Sequence, residues 1–116
     1  MRKFIKFWIP VILYMGLIFW FSSLSKLPKV PPLPYLDKAI HTLEYTLLGI
    51  LLLRAFKNYG FRKKFLWTIS VGLIYAITDE IHQYFVPFRE SSVLDILFDT
   101  LGILLGANIF VLTSKR

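Results

Sequence analysis

A chain of 116 residues that is 56% hydrophobic, with a mean hydropathy of +0.61, makes one domain at most and is more apolar than a soluble core of its size requires. The absence of cysteine excludes a disulfide framework and a thiolate metal site. The net charge of +7 is not gathered into a groove-reading element: the basic residues flank apolar runs, which argues for membrane orientation and against nucleic acid.

The first apolar run, Phe4 to Ser23, follows Arg2 and Lys3 and imitates a signal peptide. Three further apolar runs would hold the product in the membrane, so it is expected to be a retained helix. The segment LPKVPPLPYL, at 27–36, has four prolines, which stop the helix and favour extended backbone. It is too apolar for a solvated linker and is expected to lie along the membrane surface or to cap the bundle. The remaining runs, 36–56, 65–85 and 93–113, each have about 20 residues, enough to cross a hydrocarbon layer of about 30 Å. VPFRE, at 86–90, reads as a short turn between antiparallel neighbours. The expected architecture is an all-α membrane protein, a bundle of four transmembrane helices forming a single domain over 1–116.

Charge sets the expected orientation. Arg2, Lys3 and Lys6 accompany the first run, and Arg54, Lys57, Arg62, Lys63 and Lys64 crowd the connection between the second and third. Lys115 and Arg116 end the sequence. The other connections are poorer in basic residues, with Lys26, Lys29 and Lys38 around one and Arg89 in the other. The positive-inside bias thus predicts cytoplasmic termini and a cytoplasmic middle loop. Trp8 and Trp67 would sit at the inner interface and Trp20 at the outer one.

The acidic residues take the other side. Asp37, Glu44, Asp79, Glu80, Glu90, Asp95 and Asp99 all belong to the start of the second helix, the end of the third or the start of the fourth, as do His41 and His82. At 1.5 Å per residue, Glu44 lies about 12 Å along its helix, and Asp79 and Asp99 about 9 Å from the outer ends of theirs. Helical spacing puts Asp37, His41 and Glu44 on one face, and Tyr75, Asp79, His82 and Gln83 on another with Glu80 at its flank. A third seam is Asp95, Asp99, Gly102 and Gly106, whose glycines suit close helix approach. Facing one another, these seams predict an outward polar pocket below the headgroups.

Several roles are open to it. Lys38 and Arg89 are the available cations, Arg89 suiting an acid or an anionic ligand such as phosphate. Asp79 and Glu80 are candidate acid/base catalysts, and Asp37, Lys38, His41, Glu44, Gln83, Arg89, Asp95 and Asp99 candidate binding residues. No cofactor is expected. A divalent metal held by His41, Glu44 and Asp79 is a minor alternative, since helical pairs of this spacing are common. A bland reading makes the acids a hydrogen-bonded core that fixes helix register, His82 a surface-facing side chain, and Tyr45 and Tyr75 packing residues with satisfied hydroxyls.

The same residues carry a resemblance. DKAIHTLEYTLLG at 37–49 and DEIHQYFVPFRESSVLDILFDTLGILLG at 79–106 are similar to the VanZ family of small bacterial membrane proteins. The matching positions are Asp37, Lys38, His41, Tyr45 and Gly49, then Asp79, Glu80, Gln83, Pro87, Arg89, Asp95, Gly102 and Gly106. Position 99 departs, with Asp where the pattern more often has Asn. The resemblance implies a cell-envelope protein connected with low-level resistance to teicoplanin-type glycopeptides, and it brings no agreed mechanism. Three functions are open: binding an envelope lipid, a lipid-linked cell-wall intermediate or a glycopeptide; acid/base catalysis on a lipid-linked substrate; and a proton or ion relay. The relay is disfavoured, because no titratable group continues toward the inner face.

Overall fold

The computed structural model describes residues 2–23, 36–86 and 93–114. Among them every regular element is helical: α1 (Arg2–Phe7), α2 (Ile9–Ser23), α3 (Leu36–Asn58), α4 (Lys64–Tyr84) and α5 (Val93–Ser114). The proline-rich stretch up to residue 35 and residues 87–92, with Arg89 and most of the expected VPFRE turn, lie outside the described residues, as do the side chains of Asp37 and Lys38.

The first predicted helix is broken at Trp8. Pro10 has no N–H, so the Lys6 carbonyl loses its partner one turn on. On either side the ladder persists, with Trp8 N–H donating to Phe4 O at 2.8 Å and Ile12 N–H to Trp8 O at 3.0 Å. The end of α3 is equally local in origin. Gly60 has φ +74°, Phe61 N–H donates to Phe56 O and Gly60 N–H to Lys57 O, both at 3.1 Å, while the Phe56 and Phe61 rings meet at 4.9 Å. This is the Schellman stop, and it reverses the chain into α4 within five residues.

Among the described residues three helices, where four are expected, are long and apolar enough to cross a membrane: 2–21, 39–58 and 93–113. The third predicted span, α4, has 21 residues, but Lys64, Asp79 and Glu80 leave only its middle uniformly apolar. Large apolar side chains such as Leu13, Leu43, Leu47, Ile74, Leu97 and Leu112 point outward all around the bundle. A soluble protein would not expose so many, whereas lipid is their natural solvent.

The tightest pairing joins α3 to α5, which run parallel. It is made of backbone. A Cβ built on Gly49 would stand 2.5 Å from the Ile103 carbonyl oxygen, and Cβ atoms on Gly102 and Gly106 would run into the carbonyls of Thr42 and Thr46. In a membrane, where apolar side chains gain little by leaving lipid, such close approach is a principal source of helix association. The α4 helix runs antiparallel to both, burying Thr68, Gly72, Ala76, Asp79, Glu80 and Gln83 on one stripe. The α2 helix packs more lightly on α3 and α4. Between them lies a core of Val11, Ile18, Tyr45, Leu48, Leu52, Ala55, Phe56, Ala76 and Ile103.

A side chain at Gly106 must therefore push α3 and α5 apart, and Gly106→Val should lower stability by about 1–3 kcal/mol, the usual cost of overpacking. Gly16 faces open space on α2, so Gly16→Val should leave the melting temperature within error of wild type. Thermal unfolding of the two detergent-solubilised variants checks the contrast.

Candidate functional site

The parallel run of α3 and α5 places their first halves side by side, and antiparallel α4 brings its last turns to the same level. There the polar residues meet. Asp79, Glu80, Gln83, Asp95, Asp99 and His41 are all buried. His41 Nδ1 lies 2.9 Å from Asp99 Oδ1, tying α3 to α5 with a bond in which both partners are shielded. Tyr45, one turn along the same stripe, donates its hydroxyl to Asp79 Oδ2 at 3.2 Å, tying α3 to α4. Asp99 lies within electrostatic range of Asp79 and Asp95, and Tyr45 within range of Asp79 and Asp99. The acids of α4 and α5 thus share one layer.

The sequence pattern placed most members correctly. Glu80, expected at a flank, is buried because α4 is covered by α3 and α5 together, which widens its hidden arc. Glu44 departs in the other direction. Helix geometry puts it about 60° around α3 from His41 and about 100° from Tyr45. It is only half-buried, and its carbonyl accepts the Tyr14 hydroxyl at 2.8 Å, on the side of α2. His82 also leaves the acid layer: half-buried, it stacks on Phe19 with ring centroids 4.0 Å apart. The proposed metal set of His41, Glu44 and Asp79 is not assembled. Among the described residues no three His, Asp or Glu side chains come close enough to hold an ion, and His41 is bonded to Asp99.

Tyr45 and Tyr75 are packing residues with satisfied hydroxyls, as expected, and their hydrogen bonds also join helices. Tyr45 serves Asp79, Tyr14 serves the Glu44 carbonyl, and Tyr75 donates to the Met15 carbonyl, so three helix pairs are pinned by phenols. The signal was present in the four-residue spacing of His41 and Tyr45, which puts the phenol on the polar stripe. Thr42 adds a longer bond, 3.4 Å, to the Phe98 carbonyl beside the His41–Asp99 pair. The second oxygen of Asp99, Oδ2, is buried with no hydrogen-bond partner among the described residues. A carboxylate oxygen in that condition is costly to bury and is a natural place for a donor from a ligand.

Chemically, the layer offers hydrogen-bond acceptors, one amide and one imidazole held by a carboxylate. The motifs that build it coincide with a known pattern: the family described as VanZ/LLP1 matches residues 7–114. The chain belongs to the VanZ/LLP1 family. The match takes in every residue of the layer and the glycines that bring α3 to α5. No curated protein and no solved structure matches the chain.

The His41–Asp99 bond should be energetically coupled. His41→Ala and Asp99→Ala should each cost about 1–3 kcal/mol, the penalty for leaving a buried polar partner unsatisfied. The double variant should cost less than their sum, with a coupling of about 1 kcal/mol, as for interhelical hydrogen bonds in membranes. A double-mutant cycle in reversible denaturant unfolding measures it, and simple additivity would mean that the pair contributes nothing as a pair.

Proposed function

We propose that this VanZ/LLP1 protein is a four-span protein of the bacterial cytoplasmic membrane with both termini inside, and that its acid layer lines an outward pocket for the polar head of an envelope lipid, a lipid-linked cell-wall intermediate or a glycopeptide. The observation that carries the reading is the burial of Asp79, Glu80, Asp95 and Asp99 with His41 and Gln83 at one end of an otherwise apolar bundle. Ionisable groups inside a membrane are expensive, and fixing helix register needs far fewer of them. Support for the orientation comes from the other end. Lys3 lies over the Tyr59 ring and Lys57 over the Phe110 ring, so the start of α1, the α3–α4 turn and the end of α5 meet where the basic residues are. In this reading α4 is the fourth span, its charged end sheltered by α3 and α5 rather than excluded from the membrane. Arg89 and Lys38 supply contacts to anionic groups of the ligand, and the connection with glycopeptide resistance follows from withholding or masking such a molecule at the outer face.

A second reading draws on the His41–Asp99 bond. An imidazole oriented by a carboxylate is the arrangement of a positioned base, and with Asp79 and Glu80 as acid/base residues it suits catalysis on a lipid-linked substrate.

Native mass spectrometry of gently extracted protein tests the binding reading. A lipid or lipid-linked adduct should accompany the wild type and be retained about tenfold less by Asp79→Asn and Asp99→Asn, the loss of one charge-assisted hydrogen bond. Equal retention by both variants would overturn it, while conversion of the added lipid to a new mass would favour catalysis. Topology is checked separately. Because the sequence has no cysteine, single substitutions Arg62→Cys and Val93→Cys, both at exposed positions, report alone, and an impermeant maleimide added to intact cells should label only the second.

A further inference from the structure

At the end of the bundle opposite the acid layer, cations are laid on aromatic rings rather than against carboxylates. The guanidinium of Arg54, half-buried one turn before the end of α3, stands 4.9 Å from the centroid of the Phe7 ring. The Lys6 ammonium stands 5.4 Å from the same centroid. Lys3 lies 5.2 Å over Tyr59, whose ring meets Trp8 at 5.9 Å, and Trp8 in turn meets Phe56 at 5.0 Å. Two positive charges converge on one ring, a third is adjacent, and no acid occurs in the sequence before Asp37 or between Glu44 and Asp79. Along α3 the nearest carboxylate, Glu44, is ten residues from Arg54, about 15 Å. None of these cations has a carboxylate partner among the described residues.

Rings hold cations in place without neutralising them. Like charges brought together at the edge of a low-dielectric layer repel one another unless an anion joins them. The acid layer cannot serve, being at the far end of the same helices. We propose that the corner formed by Lys6, Phe7 and Arg54, with Lys3 over Tyr59 beside it, is a binding site for the phosphate of an anionic phospholipid in the leaflet that faces this end. Arg54 presents a planar fork suited to two phosphate oxygens, and Lys6 and Lys3 act as point charges around it. The break at Trp8 aims α1 so that Phe7 reaches Arg54, and the apolar flanks Phe4 and Ile5, exposed beside the corner, accept the acyl chains. This site is independent of the outer pocket and of the activity proposed there.

Quenching of Trp8 tests it. A Trp20→Phe, Trp67→Phe protein leaves Trp8 as the sole tryptophan, a reporter within the corner. In phosphatidylcholine vesicles of fixed composition, brominated phosphatidylglycerol should quench Trp8 more strongly than brominated phosphatidylcholine, by about fivefold in relative binding constant for each engaged cation. Lys6→Gln, an exposed position outside the core, should reduce that preference about fivefold, and Arg54→Gln should do the same or more. Arg54→Lys should keep part of it, which separates loss of charge from loss of fold. Soluble glycerol phosphate should compete weakly, because it lacks the acyl chains. Equal quenching by the two brominated lipids, or a preference unchanged in both Lys6→Gln and Arg54→Gln, would overturn the proposal. Competition by glycerol phosphate as strong as by the lipid would also overturn it, identifying a site for soluble anions instead. Asp79→Asn serves as the distinguishing control, since it should leave Trp8 quenching as in the wild type.

Discussion

The close backbone contact between α3 and α5 governs the rest of the structure. Gly49, Gly102 and Gly106 remove the side chains that would keep the two helices at ordinary distance. Their absence brings His41 to within 2.9 Å of Asp99 and sets the stripe on which Tyr45 reaches Asp79. Packing and chemistry are therefore one feature here. In a solvent where hydrocarbon contacts are available everywhere, shape complementarity and a few buried polar bonds decide which helices pair. This chain places both on the same seam.

A second constraint is the separation of charge. Among the described residues, the buried acids lie at one end of the bundle and the ring-seated bases at the other, with Leu48, Leu52, Ala76 and Ile103 packed in the core between them. Such a layout leaves two chemically unlike surfaces. One is rich in buried acceptors and the other in ring-seated donors. The two surfaces therefore suit partners of opposite character, which is what the two proposed sites have in common.

Much of this was legible in the residues. Apolar run lengths gave the helices to within a few positions, since a stretch of about 20 apolar residues has few other uses. Helical spacing found the seams of α4 and α5, because lipid imposes a sharp inside-outside pattern on charges. What spacing could not supply was the angular width of burial. Glu80 is hidden because two neighbours cover α4, and Glu44 is only half-buried on the α2 side of α3, where its carbonyl accepts the Tyr14 hydroxyl. The number of spans turns on the same point. Run length counts 65–85 with the others, whereas Lys64, Asp79 and Glu80 keep α4 out of the set of described helices that are long and apolar enough to cross a membrane. The phenol bonds of Tyr14 and Tyr75 run to backbone carbonyls, which no side-chain pattern announces.

The parallel course of α3 and α5 carries a further electrostatic consequence. Peptide dipoles add along a helix, leaving partial positive charge at its amino end. Both of these helices begin on the side where Asp79, Glu80, Asp95 and Asp99 are buried, and Asp95 belongs to the first turn of α5. Two amino ends thus aim their field at the same carboxylates from neighbouring positions, in a medium that screens it poorly. Had the chain entered α5 from the opposite side, those fields would have opposed each other and left the acids without that support. Helix direction, fixed by nothing more than which side the last connection lies on, thus sets how much negative charge this end of the protein can hold.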